Sequence, residues 1–300
     1  MALYDPALRY FLAVYETRSV NAAARRLFVA GSAVSRQIAR LEREAGAPLF
    51  DRLPTGVTPT DAGHAFAGFA RRAIQDAGQL VDEIHQRRSA DTLISLAASH
   101  GVGHEFLPRV AADYRTVHRG VRFELHVTEP VAATHLVRDG AADVAVTFNI
   151  TIERGVRIVY STPAPLRAVV RAGHELATRP SVSLAELVAH PLVLNPPRTT
   201  NRQLVDTLIA SNGTPVEPVF VCENPSALVH FVGHGDAVGI ISMISIAAEV
   251  AAGAIVAIPL RDKELRQRTL QVQTQAGRHL PTAVGEFVGT LVTALESTEI

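Results

Sequence analysis

Cysteine occurs once in the 300 residues, at Cys222, which excludes an intramolecular disulfide and any metal site built from several thiolates. Its setting, VFVC, suits a buried thiol acting as a small hydrophobe rather than a nucleophile. No apolar run approaches the roughly 20 residues of a membrane span, and the opening MALYDPALRY has neither a cationic leader nor an apolar signal core. A cytoplasmic protein with no membrane partner is the expectation. A GxSxG elbow is missing, no Ser-His-Asp or Cys-His arrangement emerges from spacing, and the GVG at 101–103 is too isolated to count as a dinucleotide loop. No catalytic residue and no cofactor are assigned. His100 and His104 are four apart, but Gly101 and Gly103 between them disfavour a regular helix and no third ligand is near, so no metal is assigned either. Lysine is nearly absent, Lys263 being its sole instance, and the formal net charge is zero. Any nucleic-acid surface must therefore be local.

What is present describes a globular chain of two or three domains, with 47% apolar and 19% charged residues over a length too great for one typical core. Residues 1–60 carry Arg9, Arg18, Arg25, Arg26, Arg36, Arg40, Arg43 and Arg52 against Asp5, Glu16, Glu42, Glu44 and Asp51. An all-arginine set suits forked contacts to phosphate and guanine edges, although a GC-rich genome gives the same bias. Wound as a helix, residues 32–45 place Val34, Ile38, Leu41 and Ala45 on one stripe and Ser32, Arg36, Arg40 and Arg43 opposite. Taken alone that pattern is also an ordinary solvated helix.

Its surroundings narrow the choice. Asp5 and Pro6 open a first helix with Leu8, Phe11, Leu12 and Tyr15 as its apolar stripe, Ser19 caps a second, and Gly31 breaks the chain before the third. Three short helices with small residues at their crossing describe a helix-turn-helix. LFDRLPTGVTP, turning at Pro54-Thr55-Gly56, reads as a β-wing. Thr60 then caps a long helix ending near Arg88, whose Ala62, Phe66, Phe69, Ala73, Ala77, Leu80 and Ile84 recur in threes and fours as in a coiled-coil seam. Gly63, Gly68 and Gly78 weaken that rod as a free helix, so packing must support it, through a second copy or through the chain itself.

From Leu93 the pattern becomes βαβαβ, implying a parallel, doubly wound sheet. A second set of strands follows near 157–160, 166–170, 192–194 and 219–222, with helices from about Thr200 and Ser226, then VGIISM and AIVAIPL as further strands. In TLQVQTQ, Gln271, Gln273 and Gln275 alternate with Leu270, Val272 and Thr274, as on a sheet with one wet face. A final helix runs from about Pro281 to Leu295. The expected fold class is α/β: a winged helix-turn-helix at 1–59, a linker helix at 60–89, and a two-lobed, periplasmic-binding-protein-like domain at 90–300. Lobe I takes about 90–149 and 266–300, and lobe II about 150–265.

FLAVYETRSVNAAARRL, AVSRQIARLEREAGAPLFDR and TPTDAG closely resemble the winged helix-turn-helix of LysR-type transcriptional regulators, in the right order and spacing. FLPRVAADYRTVHRGVRFELHV, LVRDGAADVAVTF and ALVHFVGHGDAVGII resemble the effector-binding domain of that family, so the likeness covers nearly the whole chain. It implies that Ser32, Ala33, Ser35, Arg36, Gln37 and Arg40 occupy the helix presented to the major groove. Ser35 and Arg36 would mostly meet phosphates while Gln37 and Arg40 reach base edges, with Arg52 and Thr58 on the wing. It also implies a homodimer or homotetramer gripping an interrupted inverted repeat in double-stranded DNA. One departure stands out. The Ser-Gln-Pro usual before AVS is here Ala30, Gly31 and Ser32, which removes a frequent base-reading Gln and leaves Ser32 to cap the helix.

A small-molecule effector belongs beyond the carboxyl ends of the strands, where helix N-termini meet anions. Ser99 and His100 follow one strand, Thr147 and Phe148 end another, Asn195, Arg198, Thr199 and Thr200 follow a third, and Asn224 lies at a fourth junction. The resemblance places effector contacts at Ser99, Thr147 and Thr199 or Thr200, while the same Ser and Thr residues also suit plain helix capping. A small carboxylate is compatible with these junctions together with His100 and Arg198. Two other classes compete: a solute-binding protein, opposed by the helix-turn-helix and the lack of an export signal, and an enzyme with a fused DNA-binding head, for which the cleft lacks a catalytic constellation.

Overall fold

Asp5 turns an extended segment into a helix. Its carboxylate accepts a hydrogen bond from the Ala7 N–H at 2.9 Å, and Pro6 brings a first-turn residue with no N–H to leave unpaired. A computed structural model describes residues 5–54, 56–84, 92–151, 153–212 and 216–300, without the side chains at 72, 75, 79–84 and 212.

Helices α1 (Pro6–Thr17), α2 (Val20–Arg26) and α3 (Gly31–Ala45) share one apolar core. Leu8, Phe11 and Val14 are buried in it, with Leu12 and Tyr15 half-buried. Ser19 caps α2 by accepting from the Ala22 N–H at 3.3 Å. The start of α3 departs from expectation: Ala30 holds the capping position and has no side-chain acceptor, so Ser32 lies inside the first turn and caps nothing. Gly31, expected to break the chain, is the first helical residue. Val34, Ile38 and Leu41 are buried as the spacing predicts. Ala45 is exposed instead, because Gly46, left-handed at φ 70°, ends the helix beside it. Strands β1 (Phe50–Leu53) and β2 (Gly56–Pro59) pair antiparallel as the wing, with Arg52 opposite Val57.

Helix α4 (Asp61–Ile84) begins at Thr60, whose Oγ1 accepts from the Gly63 N–H at 3.0 Å. At about 1.5 Å per residue it spans roughly 36 Å. Its first half is not a free seam: Ala67 and Ala70 are buried in the head, and Ala62, Phe66 and Ala73 pack against it. Phe69, in contrast, is 49% exposed. The end expected near Arg88, and the side chains of Leu80 and Ile84, lie outside the described residues.

Contacts divide the chain near residue 90, and the part beyond it holds two sheets. The first half of lobe I runs β3 (Thr92–Ser99), α5 (His100–Gly103), α6 (Phe106–Val117), β4 (Val121–Thr128), α7 (Pro130–Arg138), β5 (Val144–Asn149) and β6 (Val156–Pro163). Lobe II runs β7 (Leu166–Arg171), α8 (Leu184–Leu187), β8 (Leu192–Leu194), α9 (Thr200–Asn212), β9 (Phe220–Val221), α10 (Pro225–Gly233), β10 (Val238–Ser242), α11 (Ala247–Ala251) and β11 (Ile255–Pro259). The chain then returns to lobe I with β12 (Thr269–Gln275) and α12 (Thr282–Glu296). Strand orders are β4-β3-β5-β12-β6 and β11-β7-β10-β8-β9.

These sheets bear out one expectation and correct two. β3, β4 and β5 are parallel as the βαβαβ pattern predicts, and so are β8, β9 and β10, while β12 pairs antiparallel with both β5 and β6, and β7 with both β10 and β11. The strand at 156–163, assigned from the sequence to lobe II, hydrogen-bonds along β12 in lobe I. The lobes therefore exchange chain at Ala164 and Arg268, where the Ala164 N–H donates to the Arg268 carbonyl at 2.9 Å. Finally, the glutamines of β12 are not on a wet face. Gln271, Gln273 and Gln275 are all buried on β12, an interior strand paired with β5 and β6. They are met by a polar ladder in which Gln273 Nε2 donates to Gln271 Oε1 at 2.8 Å and Asn149 Nδ2 donates to the same oxygen at 3.3 Å.

Two glycines of α4 separate packing from propensity. A Cβ on Gly63 would stand 2.1 Å from the Leu49 carbonyl oxygen, whereas one on Gly78 would meet nothing within 4 Å. Gly63→Ala is expected to lower unfolding stability by about 1–3 kcal/mol through overpacking, and Gly78→Ala to raise it by up to about 1 kcal/mol. Urea unfolding of the full chain distinguishes the two, and equal effects would refute the close approach at Gly63.

Candidate functional site

Because Val34, Ile38 and Leu41 hold one edge of α3 inside the head, its other edge faces solvent. Ser32 and Arg36 are exposed there, and Ala33, Ser35, Gln37 and Arg40 are half-buried. Among the described residues no carboxylate lies within 4 Å of Arg36, so its guanidinium is available to an external anion. Arg40 is different. Its Nη2 pairs with Asp5 Oδ2 and its Nε lies 3.7 Å from Glu44 Oε1. The Asp5 carboxyl is held below the usual carboxylate range, first by the Ala7 N–H and then by Arg40. Arg40 therefore ties α3 to the cap of α1, a partner that lies 35 residues away and that no local pattern announces. Arg52 and Thr58 are exposed on the wing.

The second site lies between the two lobes. Ser99, His100, Phe148, Asn195, Thr199 and Thr200 line a common cleft, so six of the nine residues named from the sequence for an effector meet there. Thr147 sits behind it, fully buried on β5 with an unpartnered Oγ1. Arg198 is exposed and pairs with Glu129 at 2.8 Å. Asn224 spends its Oδ1 on capping α10, accepting from the N–H groups of Ser226 and Ala227 at 2.9 and 3.3 Å, and does not line the cleft. Gly101, Pro130, Asn201, Glu223, Pro225, Ile241, Ser245 and Arg268 complete the wall.

The cleft is tight. Its cavity volume is about 40 Å³, room for a few waters at the roughly 10–15 Å³ that one requires on the same measure. Gly101 permits this closeness, since a Cβ there would lie 2.5 Å from Ser245 Oγ and 2.8 Å from the Phe148 ring. Two contacts bridge the lobes: His100 Nε2 lies 3.0 Å from Glu223 Oε2, and Arg198 forms an ion pair with Glu129. The His100 and His104 rings stack at 6.0 Å, and burial, then the charge of His100, pulls His104 below the usual imidazole range. No group of three potential ligands occurs among the described residues. Cys222 is half-buried against lobe II, and burial pushes its thiol up, away from reactivity.

Arg268 was absent from the sequence-based set. It precedes β12, is 1% exposed, and lies with Cζ 3.9 Å above the Phe148 ring. Its Nε donates to the Ala164 carbonyl at 3.2 Å and Nη1 to Asn201 Oδ1, while Nη2 has no partner. Burial lowers its pKa to about 9, which leaves it charged at neutral pH. An arginine abutting a strand carries no periodic or motif signal; only the return of the chain to lobe I brings it under Phe148.

Comparison with known proteins joins the two sites in one architecture. The profile of the bacterial regulatory helix-turn-helix protein, lysR family, matches residues 6–64, and that of the LysR substrate binding domain matches residues 87–296. The HTH-type transcriptional regulator Mb2303c of Mycobacterium bovis is 30% identical over 283 residues, 90% of each chain. Among solved structures, a full-length OxyR variant from Pseudomonas aeruginosa superposes with a TM-score of 0.71 at 17% identity, over 97% of this chain and 94% of that one. Full-length CbnR, solved with its target DNA, gives 0.57 at 24% identity over 96% and 98%. With a winged head, a long connecting helix and a two-lobed domain all matched, the chain belongs to the LysR family: it is a DNA-binding transcriptional regulator with an effector-binding domain, and not an enzyme.

Proposed function

We propose that the chain works in the cytoplasm as a homodimer, paired further into a tetramer, on an interrupted inverted repeat of double-stranded DNA, under control of a small molecule held between the lobes. The observation that carries the DNA part is the solvent-facing edge of α3, where Arg36 stands exposed without an internal carboxylate. Phosphate contacts from Arg36 and Arg52 supply affinity and position the head, and the half-buried Gln37 is the polar side chain of α3 placed next to them for reading base edges. Exposed Phe69 on α4 supports self-association, since an aromatic ring half in solvent beside an otherwise buried helix face gains from a second copy. Among the described residues no helix is long and apolar enough to cross a membrane, in keeping with this setting.

The effector acts by selecting one arrangement of the lobes, which it can do only by binding that arrangement better than the alternative. The bridging pairs His100–Glu223 and Arg198–Glu129 oppose opening, so a ligand that enters must replace what they contribute.

Three measurements test this reading. Retention of the full chain on duplex DNA should fall steeply with salt; salt-independent retention, or none, counts against it. Arg36→Ala should weaken binding by roughly 1.5–3 kcal/mol, the worth of a charge-assisted hydrogen bond, and shift thermal stability by no more than about 0.5 kcal/mol. Unchanged DNA affinity in that variant would remove α3 as the reader. Phe69→Asp should weaken the dimer at least tenfold in sedimentation velocity, because a carboxylate in an apolar interface is left unpaired; a variant still fully dimeric at low concentration eliminates α4 as the interface.

A further inference from the structure

Helix α10 ends in two histidines one turn apart. His230 and His234 are both exposed, and each has its Nδ1 against a backbone carbonyl four residues earlier, His230 on Ser226 at 2.9 Å and His234 on His230 at 2.7 Å. A carbonyl oxygen can only accept, so each Nδ1 carries the proton and each neutral ring keeps its free lone pair on Nε2. The rings share one face of the helix, as i, i+4 spacing dictates, and lie nearly parallel, with planes 16° apart and centroids 6.4 Å apart. No carboxylate of a described residue lies within 4 Å of either ring. Histidine binds metals under these conditions: a neutral ring with one nitrogen free, the other donating to a carbonyl that fixes tautomer and orientation. The end of the helix adds to them. His234 is the C-cap of a nine-residue helix, where the last carbonyls and the negative pole of the dipole favour a cation. Asp236 is exposed two residues further on and Arg171 donates to the Gly235 carbonyl at 2.9 Å, so the charged side chains at this end offset each other. His100 and His104 have the same spacing but not the same freedom, because His100 Nε2 already meets Glu223 at 3.0 Å.

We propose that His230 and His234 bind one divalent transition-metal ion through their two Nε2 atoms, with water completing its coordination. Bonds of about 2.0–2.1 Å to each nitrogen set the two Nε2 atoms roughly 3.3 Å apart in a tetrahedral arrangement. Two exposed rings already face to face reach that separation by tilting their Nε2 edges together. A donor set of imidazole without carboxylate selects Cu²⁺, then Ni²⁺ and Zn²⁺, over the oxygen-seeking Mg²⁺ and Ca²⁺. By bridging positions i and i+4 the ion staples the last turn of α10. The first residue of that helix, Pro225, lines the cleft, so the staple stiffens an element that forms part of the cleft wall.

The inference needs neither DNA nor an effector. The full-length chain is titrated calorimetrically, at a mildly alkaline pH that keeps histidine neutral, with the chlorides of Cu²⁺, Ni²⁺ and Zn²⁺ and with those of Mg²⁺ and Ca²⁺ as controls. The tightest class of sites should take one Cu²⁺ per chain, and its electron paramagnetic resonance spectrum should show two imidazole nitrogens on the metal. His230→Gln and His234→Gln should each weaken that affinity by roughly tenfold or more and remove the two-nitrogen signature. Both positions are exposed, so the metal-free variants should melt within about 2 °C of the unsubstituted chain. Ser226→His, placed in the His234→Gln background, rebuilds an i, i+4 pair with His230 one turn earlier and should restore affinity and spectrum together. Tight binding that survives either single substitution, binding no stronger than in the double variant His230→Gln/His234→Gln, equal affinity for Mg²⁺ and Cu²⁺, or no restoration by Ser226→His would overturn the assignment.

Discussion

Phe11 is the point at which the head is held together. Fully buried on α1, its ring meets Phe50 of the wing at 5.1 Å and Phe66 of α4 at 4.8 Å, the latter edge to face. Val34, Ile38 and Leu41 of α3 belong to the same cluster. An aromatic pair in this geometry adds about 0.5–1.5 kcal/mol beyond its burial. Its larger role is orientation. With one face of α3 committed to this core, the arginine edge has a single direction left to face, and the wing is placed beside it. The exposure of Arg36 is thus a consequence of apolar packing on the opposite side of the helix.

The effector-binding part follows the reverse logic. There two of the groups lining the cleft are buried polar atoms without a partner. Ser99 and Arg268 each keep a buried polar atom without a partner, and such atoms cost about 1–3 kcal/mol when left unmet. The lobes are kept near each other by the Arg198–Glu129 ion pair, by the His100–Glu223 contact and by the close approach that Gly101 permits.

Much of this was legible from order along the chain. Caps at Asp5, Ser19 and Thr60, the wing turn, and most of the strands were correctly read because each depends on a few neighbouring residues. Six cleft residues could be named because ligands collect where strands end and helices begin, and those ends are visible in sequence. The errors were of one kind. Ser32 was given a capping role that Ala30 takes through backbone conformation alone. The glutamines of β12 showed a faithful alternation, but whether their face was wet depended on what packs beside it. The strand at 156–163 looked like the start of lobe II because it follows lobe I in sequence, and its partner, β12, comes more than 100 residues later.

The sequence by itself determined the three-helix head, the polarity of α3, the alternation that builds two sheets, and the family to which both halves belong, since these rest on caps, periods of 3.6 and 2, and contiguous motifs. Tertiary structure alone decided that Arg40 is tied to Asp5, that the first half of α4 is packed against the head while Phe69 is not, and that a lone arginine ahead of the last strand comes to rest under Phe148 with a donor to spare. The physical reason is separation along the chain: burial and charge pairing are properties of neighbours in space, and a return crossing from one lobe to the other brings together residues that no local pattern relates.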